Sequence, residues 1–389
     1  VDSVTVIGAG LAGLSAARAL RAQGFTGELT IVGAERHRPY DRPPLSKQFL
    51  AGDIGEEHLR LEDDDEDLHA NWLLGVAATG LDAGDHSATL SDGSHVRAEG
   101  FVLATGSRAR RWPGIGDLGG VHVLRTVEDA LTLRAELVPG ARVVVIGAGF
   151  IGGEVASTAR ALGLEVTVVE AAPTPLAGPL GPELGAAVAD LHTGNGTVLH
   201  CGVGVAALTG TDRVTGVNLA DGRHLAADVV VVGIGGVPNI EWLRGSGLDL
   251  DDGVLCDPLG GTRFPHIVAV GDCAAWLDPV SGAHRRIEHW TGASDRAAIA
   301  VATLLSDGAN AGTPVKPPYF WSDQYGSRIQ FAGIALPGDQ ATVEDGDLTE
   351  RSFLAVYRRA GQPVAVLGVD RVRQFTRWRR ELAAAPPPS

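Results

Sequence analysis

Apolar positions fall twice along the chain into one local pattern: a β-rich run, a glycine turn, then an Ala- and Leu-rich stretch of helical character. Residues 4–20 read VTVIGAGLAGLSAARAL and residues 143–162 read VVVIGAGFIGGEVASTARAL. A second strand at 29–32 or 166–169 follows and leads to an acid, Glu35 or Glu170, so each segment predicts a βαβ unit. Further strand-like runs at 100–104, 229–234 and 267–270 each lead into glycine. Strands alternating with helices predict an α/β fold with doubly wound sheets. After residue 234 the pattern returns to a strand, a Gly-Asp pair and a helix over 293–305, with no third glycine fingerprint. The second unit therefore reads as an insertion: 1–109 with 233–314 form one discontinuous domain and 110–232 another. Pro314, Pro317 and Pro318 mark a break. Beyond it, 315–389 predicts a small α+β domain with strands at 329–334, 352–357 and 364–369 and a basic helix over 372–383. The acidic run 62–67 predicts a solvated helix or loop face, and 386–389 a frayed tail.

Composition narrows the partners. With 44% hydrophobic and 20% charged residues over 389 positions the chain reads as globular, and no apolar run reaches the ~18 residues of a membrane span. A strand begins at Val4 with no leader pattern before it, which predicts a cytoplasmic protein. A formal charge of −15 is the wrong sign for tracking a phosphate backbone, so neither nucleic acid nor membrane is expected as a partner. Cys201, Cys256 and Cys273 are odd in number and widely spaced, which fits neither a disulfide framework nor a metal site. Of 32 basic residues only Lys47 and Lys316 are lysines, so a lysine stands out.

The glycine turns carry the chemistry. Gly8, Gly10 and Gly13 follow a strand and open a helix, as do Gly147, Gly149 and Gly152. In such a fingerprint the first glycine makes the turn, the second admits a pyrophosphate, the third lets helix pack on strand, and the later acid accepts from a ribose hydroxyl. Glu35 and Glu170 are those acids. Both units thus predict Rossmann-like dinucleotide sites, and two sites in one chain imply a resident redox dinucleotide beside a diffusible one: FAD and a nicotinamide.

Further motifs are residues 42–47 (RPPLSK), 104–106 (ATG), 233–239 (GIGGVPN), 270–273 (VGDC) and 319–325 (YFWSDQY). On these and the two fingerprints the whole chain resembles the FAD-dependent NADH:ferredoxin reductases that serve Rieske oxygenases and cytochromes P450. The resemblance implies a glutathione-reductase-like fold, hydride transfer from NADH to FAD, and single electrons passed to a [2Fe–2S] ferredoxin. It places Gly8, Gly10, Leu11, Ala12, Gly13, Glu35, Arg42, Pro43, Lys47, Val76, Ala104, Thr105, Gly106, Arg125, Gly271, Asp272, Trp290 and Trp321 at FAD. It places Gly147, Gly149, Phe150, Ile151, Gly152, Glu154, Glu170, Gly235 and Gly236 at the nicotinamide coenzyme. Lys47, Glu154 and Trp321 would be the catalytic residues, the first two as an ion pair beside the flavin and the third on the electron's way out. His289 receives no role, and a monomer or weak dimer is expected.

Related disulfide reductases carry a redox cysteine pair near the flavin, and the peroxidase branch a single cysteine, where this chain has Leu45 and Ser46; thiol relay chemistry is therefore not expected. Glu170 is followed by Ala171, Ala172, Pro173 and Thr174, which supply no arginine for a 2′-phosphate and so predict NADH over NADPH. Residues 315–389 hold ten Lys/Arg against eight Asp/Glu. Arg371, Arg373, Arg377, Arg379 and Arg380, with Arg285 and Arg286, form the positive face expected to meet an acidic ferredoxin. Alternatives on the same fold are a reductase of rubredoxin, monodehydroascorbate or a quinone, or an NADH-sensing interaction protein resembling apoptosis-inducing factor. The latter would carry long insertions and basic targeting sequence, which this chain lacks.

Overall fold

The computed structural model describes residues 1–113, 118–279, 281–306 and 316–384. Pro314 and the Pro-rich tail at 386–389 lie outside the described residues. The two glycine-turn units open onto two parallel sheets. The first has the spatial order Ile267–Ala269, Gly100–Leu103, Ser3–Ile7, Glu28–Gly33, Ala70–Leu74, and all its pairings are parallel. The second runs Val198–Cys201, Glu165–Glu170, Arg142–Ile146, Val229–Val232, Val121–His122, again parallel throughout. Parallel strands covered on both faces need continuous apolar runs, and Val4, Val6, Ile7, Phe101, Val102 and Leu103 are all buried. Helices Leu11–Ala22 and Trp290–Leu305 cover the first sheet, their small faces (Ala16, Ala17, Ala297, Ala300) allowing close approach.

A second core decides where the chemistry sits. Leu45, Phe49, Leu50 and Leu59, all from the N-terminal segment, are buried against Val127, Leu133, Val155 and Ala159 of the second unit. Burying side chains of this size contributes about 1.5–3 kcal/mol each. The turn Pro43–Ser46 and the short helix Gln48–Ala51 are thereby fixed against helix Phe150–Ala161, with Lys47 between them.

The third sheet is antiparallel, in the order Tyr319–Gln324, Ser327–Gly333, Gln362–Val369, Ser352–Arg359, Gln340–Asp347, with helix Val372–Ala384 on one face through Phe375 and Leu382. Its other face packs on helix Pro182–Gly194 of the second unit through Phe331, Phe353, Leu184 and Leu191. Tyr325 and Gly326, both with positive φ, close the hairpin between the first two strands, as its twist requires.

Several expectations need correction. Strand Gln340–Asp347 adds to the expected strands: it is an exposed edge strand of mostly polar residues, with no apolar alternation to read. The helix expected to start at 293 starts at Trp290. The acidic run 62–67 is a loop but not simply solvated: Glu66 accepts from Arg18 and Glu62 from Arg38, with only 15% and 6% of their side chains exposed. No described helix is long and apolar enough to cross a membrane.

Candidate functional site

Each glycine of the first fingerprint meets a different constraint. A Cβ on Gly8, whose φ is +122°, would lie 2.1 Å from the Ala104 carbonyl oxygen, and one on Gly13 only 1.8 Å from that of Gly8. A Cβ on Gly10 would meet no heavy atom within 4 Å. The second fingerprint repeats this: Gly147 faces the Gly233 oxygen at 2.3 Å, Gly152 the Gly147 oxygen at 2.1 Å, and Gly149 is open. Turn and helix–strand packing thus account for the outer glycines, and the middle one faces open space at a helix start. Helices Leu11–Ala22 and Phe150–Ala161 lack any side-chain cap, which leaves their first N–H groups for an anion. Both cradles therefore fit a dinucleotide pyrophosphate.

The acids differ in what already holds them. Glu35 accepts from Arg42 at 2.7 Å and from the Tyr40 hydroxyl at 2.5 Å, and burial pushes the Tyr40 phenol up so that it stays a donor. Arg42 also reaches the Arg125 carbonyl, and Arg125 donates to Asp272 at 2.5 Å. The predicted FAD residues Glu35, Arg42, Arg125 and Asp272 thus form one hydrogen-bonded chain, extended by Ser107 donating to Asp272. Glu170 instead accepts from the backbone N–H groups of Ala148 at 2.7 Å and Ala172 at 2.8 Å, which orients it beside the second glycine turn.

Thr105 and Asn239 tie two further motifs together: the Thr105 hydroxyl donates to the Asn239 carbonyl and the Asn239 amide returns a bond to the Thr105 carbonyl. Ala104 closes against Gly8 and Gly271 against Ala12, while Gly106 faces Arg125. Val76 N–H donates to the Gly33 carbonyl beside the same sheet edge. Gly235 has φ +97°, and a Cβ on Gly236 would press on Glu288 at 2.6 Å. Pro43 opens the turn that presents Lys47.

Lys47 Nζ donates to Glu154 Oε2 at 2.8 Å, and the two side chains are 13% and 4% exposed. A pair this buried is tolerable only with further hydrogen bonds. Ser46 supplies one to Oε2 and Ser322, from the third sheet, supplies one to Oε1 at 2.7 Å. In the sequence Ser46 marks only the place of a missing cysteine, and Ser322 has no expected role. Neither hydroxyl carries a local signal, because their partner lies more than a hundred residues away.

Aromatic residues line the neighbouring surface. Trp321 stacks on Tyr319 with centroids 5.9 Å apart and meets Trp290 edge-on at 6.3 Å, while Trp290 donates to Asp41 at 2.8 Å. Arg379 lies over the Tyr319 ring at 3.9 Å. Phe150 contacts Phe320, whose ring also lies 4.8 Å from His289. His289 Nδ1 is buried without a hydrogen-bond partner among the described residues, and burial holds this imidazole down at about 4. Ile151, by contrast, is 46% exposed at the second helix start. Cys256 and Cys273 are buried with their thiols pushed up by burial, and Cys201 is half-buried on the strand beside Glu170. Among the described residues no cluster of His, Cys, Asp or Glu could hold a metal.

The positive face is smaller than expected. Arg371, Arg377, Arg285 and Arg286 are engaged by Asp345, Glu381, Asp278 and Asp252 respectively. Arg373 and Arg380 stay exposed without an acidic partner among the described residues, beside Arg379 on its tyrosine.

Two parallel dinucleotide sheets, paired glycine cradles and a buried ion pair joining the N-terminal segment to the second cradle's helix define a two-dinucleotide flavoprotein that binds FAD and a nicotinamide coenzyme. The chain belongs to the pyridine nucleotide-disulphide oxidoreductase family, which matches residues 2–297, and residues 319–389 match the reductase C-terminal family. It is 40% identical to the chlorobenzene dioxygenase ferredoxin reductase component of Cupriavidus sp. (strain PS12), covering 96% of this chain and 90% of that protein. It is 36% identical to rhodocoxin reductase of Rhodococcus erythropolis, covering 99% and 90%. The putidaredoxin reductase solved in covalent complex with putidaredoxin superposes with a TM-score of 0.94 at 33% identity, over 99% of this chain and 94% of that one.

Proposed function

We propose that this protein is an NADH:ferredoxin reductase, taking hydride on the side of the Lys47–Glu154 pair and delivering single electrons past Trp321 to a [2Fe–2S] ferredoxin that serves an oxygenase or cytochrome P450. The relatives named above support the reaction class, and the observation that carries the reading is the buried pair by which Lys47, of the N-terminal segment, meets Glu154 on the helix of the second glycine cradle. Bound FAD supplies two-electron uptake and one-electron release.

The chain's own residues bind, orient and exclude water. Gly10 and the helix start behind it take the FAD pyrophosphate, Glu35 a ribose hydroxyl, and Asp272 the ribityl chain, with Arg42 and Arg125 holding the acids in place. Gly149 and Glu170 take the coenzyme in the same way, and Glu170 repels a 2′-phosphate. Lys47, a compact ammonium with one donor given to Glu154, would hold the flavin with those that remain. The segments 1–109 with 233–314, 110–232 and 315–389 act as the FAD-binding, NAD-binding and partner-facing domains, and the protein works in the cytoplasm. Anaerobic reduction with NADH, followed by rapid mixing with [2Fe–2S] ferredoxins, tests the reading. Ferredoxin reduction at rates matching turnover is expected, whereas electron delivery only to quinones or monodehydroascorbate would move the protein to the small-molecule branch.

A further inference from the structure

Strand Tyr319–Gln324 divides its side chains by the two-residue repeat of a β-strand. Tyr319 and Trp321 stack on one another on one face. Phe320, Ser322 and Gln324 turn to the other, where Phe320 meets Phe150, Ser322 meets Glu154, and Gln324 lies on Gly153. The strand that carries the tryptophan thus reaches, with its alternate residues, the helix start of the coenzyme unit.

The Glu154 carboxylate is held from two directions. Oε2 accepts from Lys47 and Ser46, both of the N-terminal segment, and Oε1 accepts from Ser322 alone among the described residues. Ser322 is fully buried, and its hydroxyl in turn accepts from Gln324 Nε2 at 3.0 Å, which leaves its own proton for Glu154. Without the Ser322 hydroxyl, nothing described fixes Oε1, the carboxylate plane can rotate, and Lys47 Nζ loses its set position. We propose that Ser322, oriented by Gln324, is a positioning residue for hydride entry: through Glu154 it fixes Lys47, so the third domain takes part in reduction of the flavin as well as in its reoxidation. This rests on the reading above that Lys47 faces the flavin.

The test is stopped-flow reduction of the FAD-loaded enzyme by NADH under anaerobic conditions. Ser322→Ala is expected to slow flavin reduction about tenfold, because small misplacements at a reacting centre cost rate steeply. The apparent Kd for NADH and the rate at which dithionite-reduced enzyme passes electrons to ferredoxin should stay within about twofold, since a positioning role leaves binding and exit untouched. In a Lys47→Ala background the same serine change should cost no more than about twofold, the non-additivity of residues acting through one another. Gln324→Leu, which keeps the volume, should give a smaller loss in the same step and serves if Ser322→Ala fails to hold FAD. A wild-type reduction rate in both Ser322→Ala and Gln324→Leu, or a full tenfold loss persisting in the Lys47→Ala background, overturns the proposal while leaving the role of Lys47 intact. Unchanged reduction in Lys47→Ala itself overturns the role of Lys47 and the proposal with it.

Discussion

Gly153 and Gln324 interlock: a Cβ on Gly153 would lie 2.4 Å from Oε1 of Gln324 and 2.7 Å from its Cδ and Nε2. The glutamine cannot easily move aside, because it is 1% exposed and its amide is committed to Ser322. Alanine at 153 would gain up to about 1 kcal/mol of helix propensity, but the overlap costs about 1–3 kcal/mol. Gly153→Ala should therefore unfold at lower urea concentration than the parent. An unchanged or raised midpoint would show that the hairpin gives way freely.

Lys47 and Glu154 depend on one another. Removing the lysine leaves a buried carboxylate with only hydroxyl donors, so Lys47→Ala should lose about 3–5 kcal/mol of stability. Flavin reduction by NADH should fall about 10- to 100-fold. Lys47→Arg should not rescue it, since a planar guanidinium does not replace an ammonium in this seat. Stopped-flow rates measured on variants with full FAD content check both statements.

Glu170, which the N–H groups of Ala148 and Ala172 hold in place, should govern coenzyme choice. NADH should exceed NADPH in kcat/KM by about tenfold or more, and Glu170→Ala should bring the two within a few-fold, each 1.4 kcal/mol of lost discrimination being a factor of ten. Equal kcat/KM values in the parent enzyme would show that Glu170 does not govern the choice.

Electron exit should have an electrostatic and an aromatic part. Exposed Arg373 and Arg380 lie on the helix whose Arg379 covers Tyr319. Replacing both by glutamate should lower the rate of ferredoxin reduction, most at low ionic strength, where the Debye length is about 10 Å at 0.1 M. Reduction of a small neutral dye should be unchanged. Trp321→Ala should slow the ferredoxin step more than NADH-driven flavin reduction. Salt-independent ferredoxin kinetics would remove the arginines from the exit route.

His192 gives the fold an acid limit. It is 1% exposed, bonds the Tyr325 hydroxyl through Nδ1, and burial lowers its pKa to about 4. In the unfolded chain an imidazole takes up its proton near pH ~6.5. Between these values the unfolded state binds more protons, so stability is full above the unfolded pKa and falls as pH drops toward 4. By pH ~5 the loss from this one group is about 2 kcal/mol. Urea denaturation at neutral and acid pH measures it, and His192→Gln should flatten that part of the profile.

The two glycine cradles are legible in the order of residues alone, because turn, pyrophosphate approach and helix–strand packing are local demands met by glycine at those spacings. Gly8 and Gly13 show the turn and packing demands in what a Cβ would meet at each. The apolar runs likewise specified the parallel strands, since burial on both faces leaves an uninterrupted signature. Local pattern could not reveal edge strand Gln340–Asp347, whose exposed polar residues look like loop, or the ion pairs that occupy Arg371 and Arg377. Nor could it assign Ser46, Ser322 and Gln324. A polar side chain acquires a role only through the group it faces: the two serines meet Glu154, and Gln324 meets Ser322, because Leu45 and Phe49 are buried in the second unit's core while a hairpin of the third sheet lies on Gly153. Packing among three distant segments, which no spacing along the chain encodes, decided how the lysine is held.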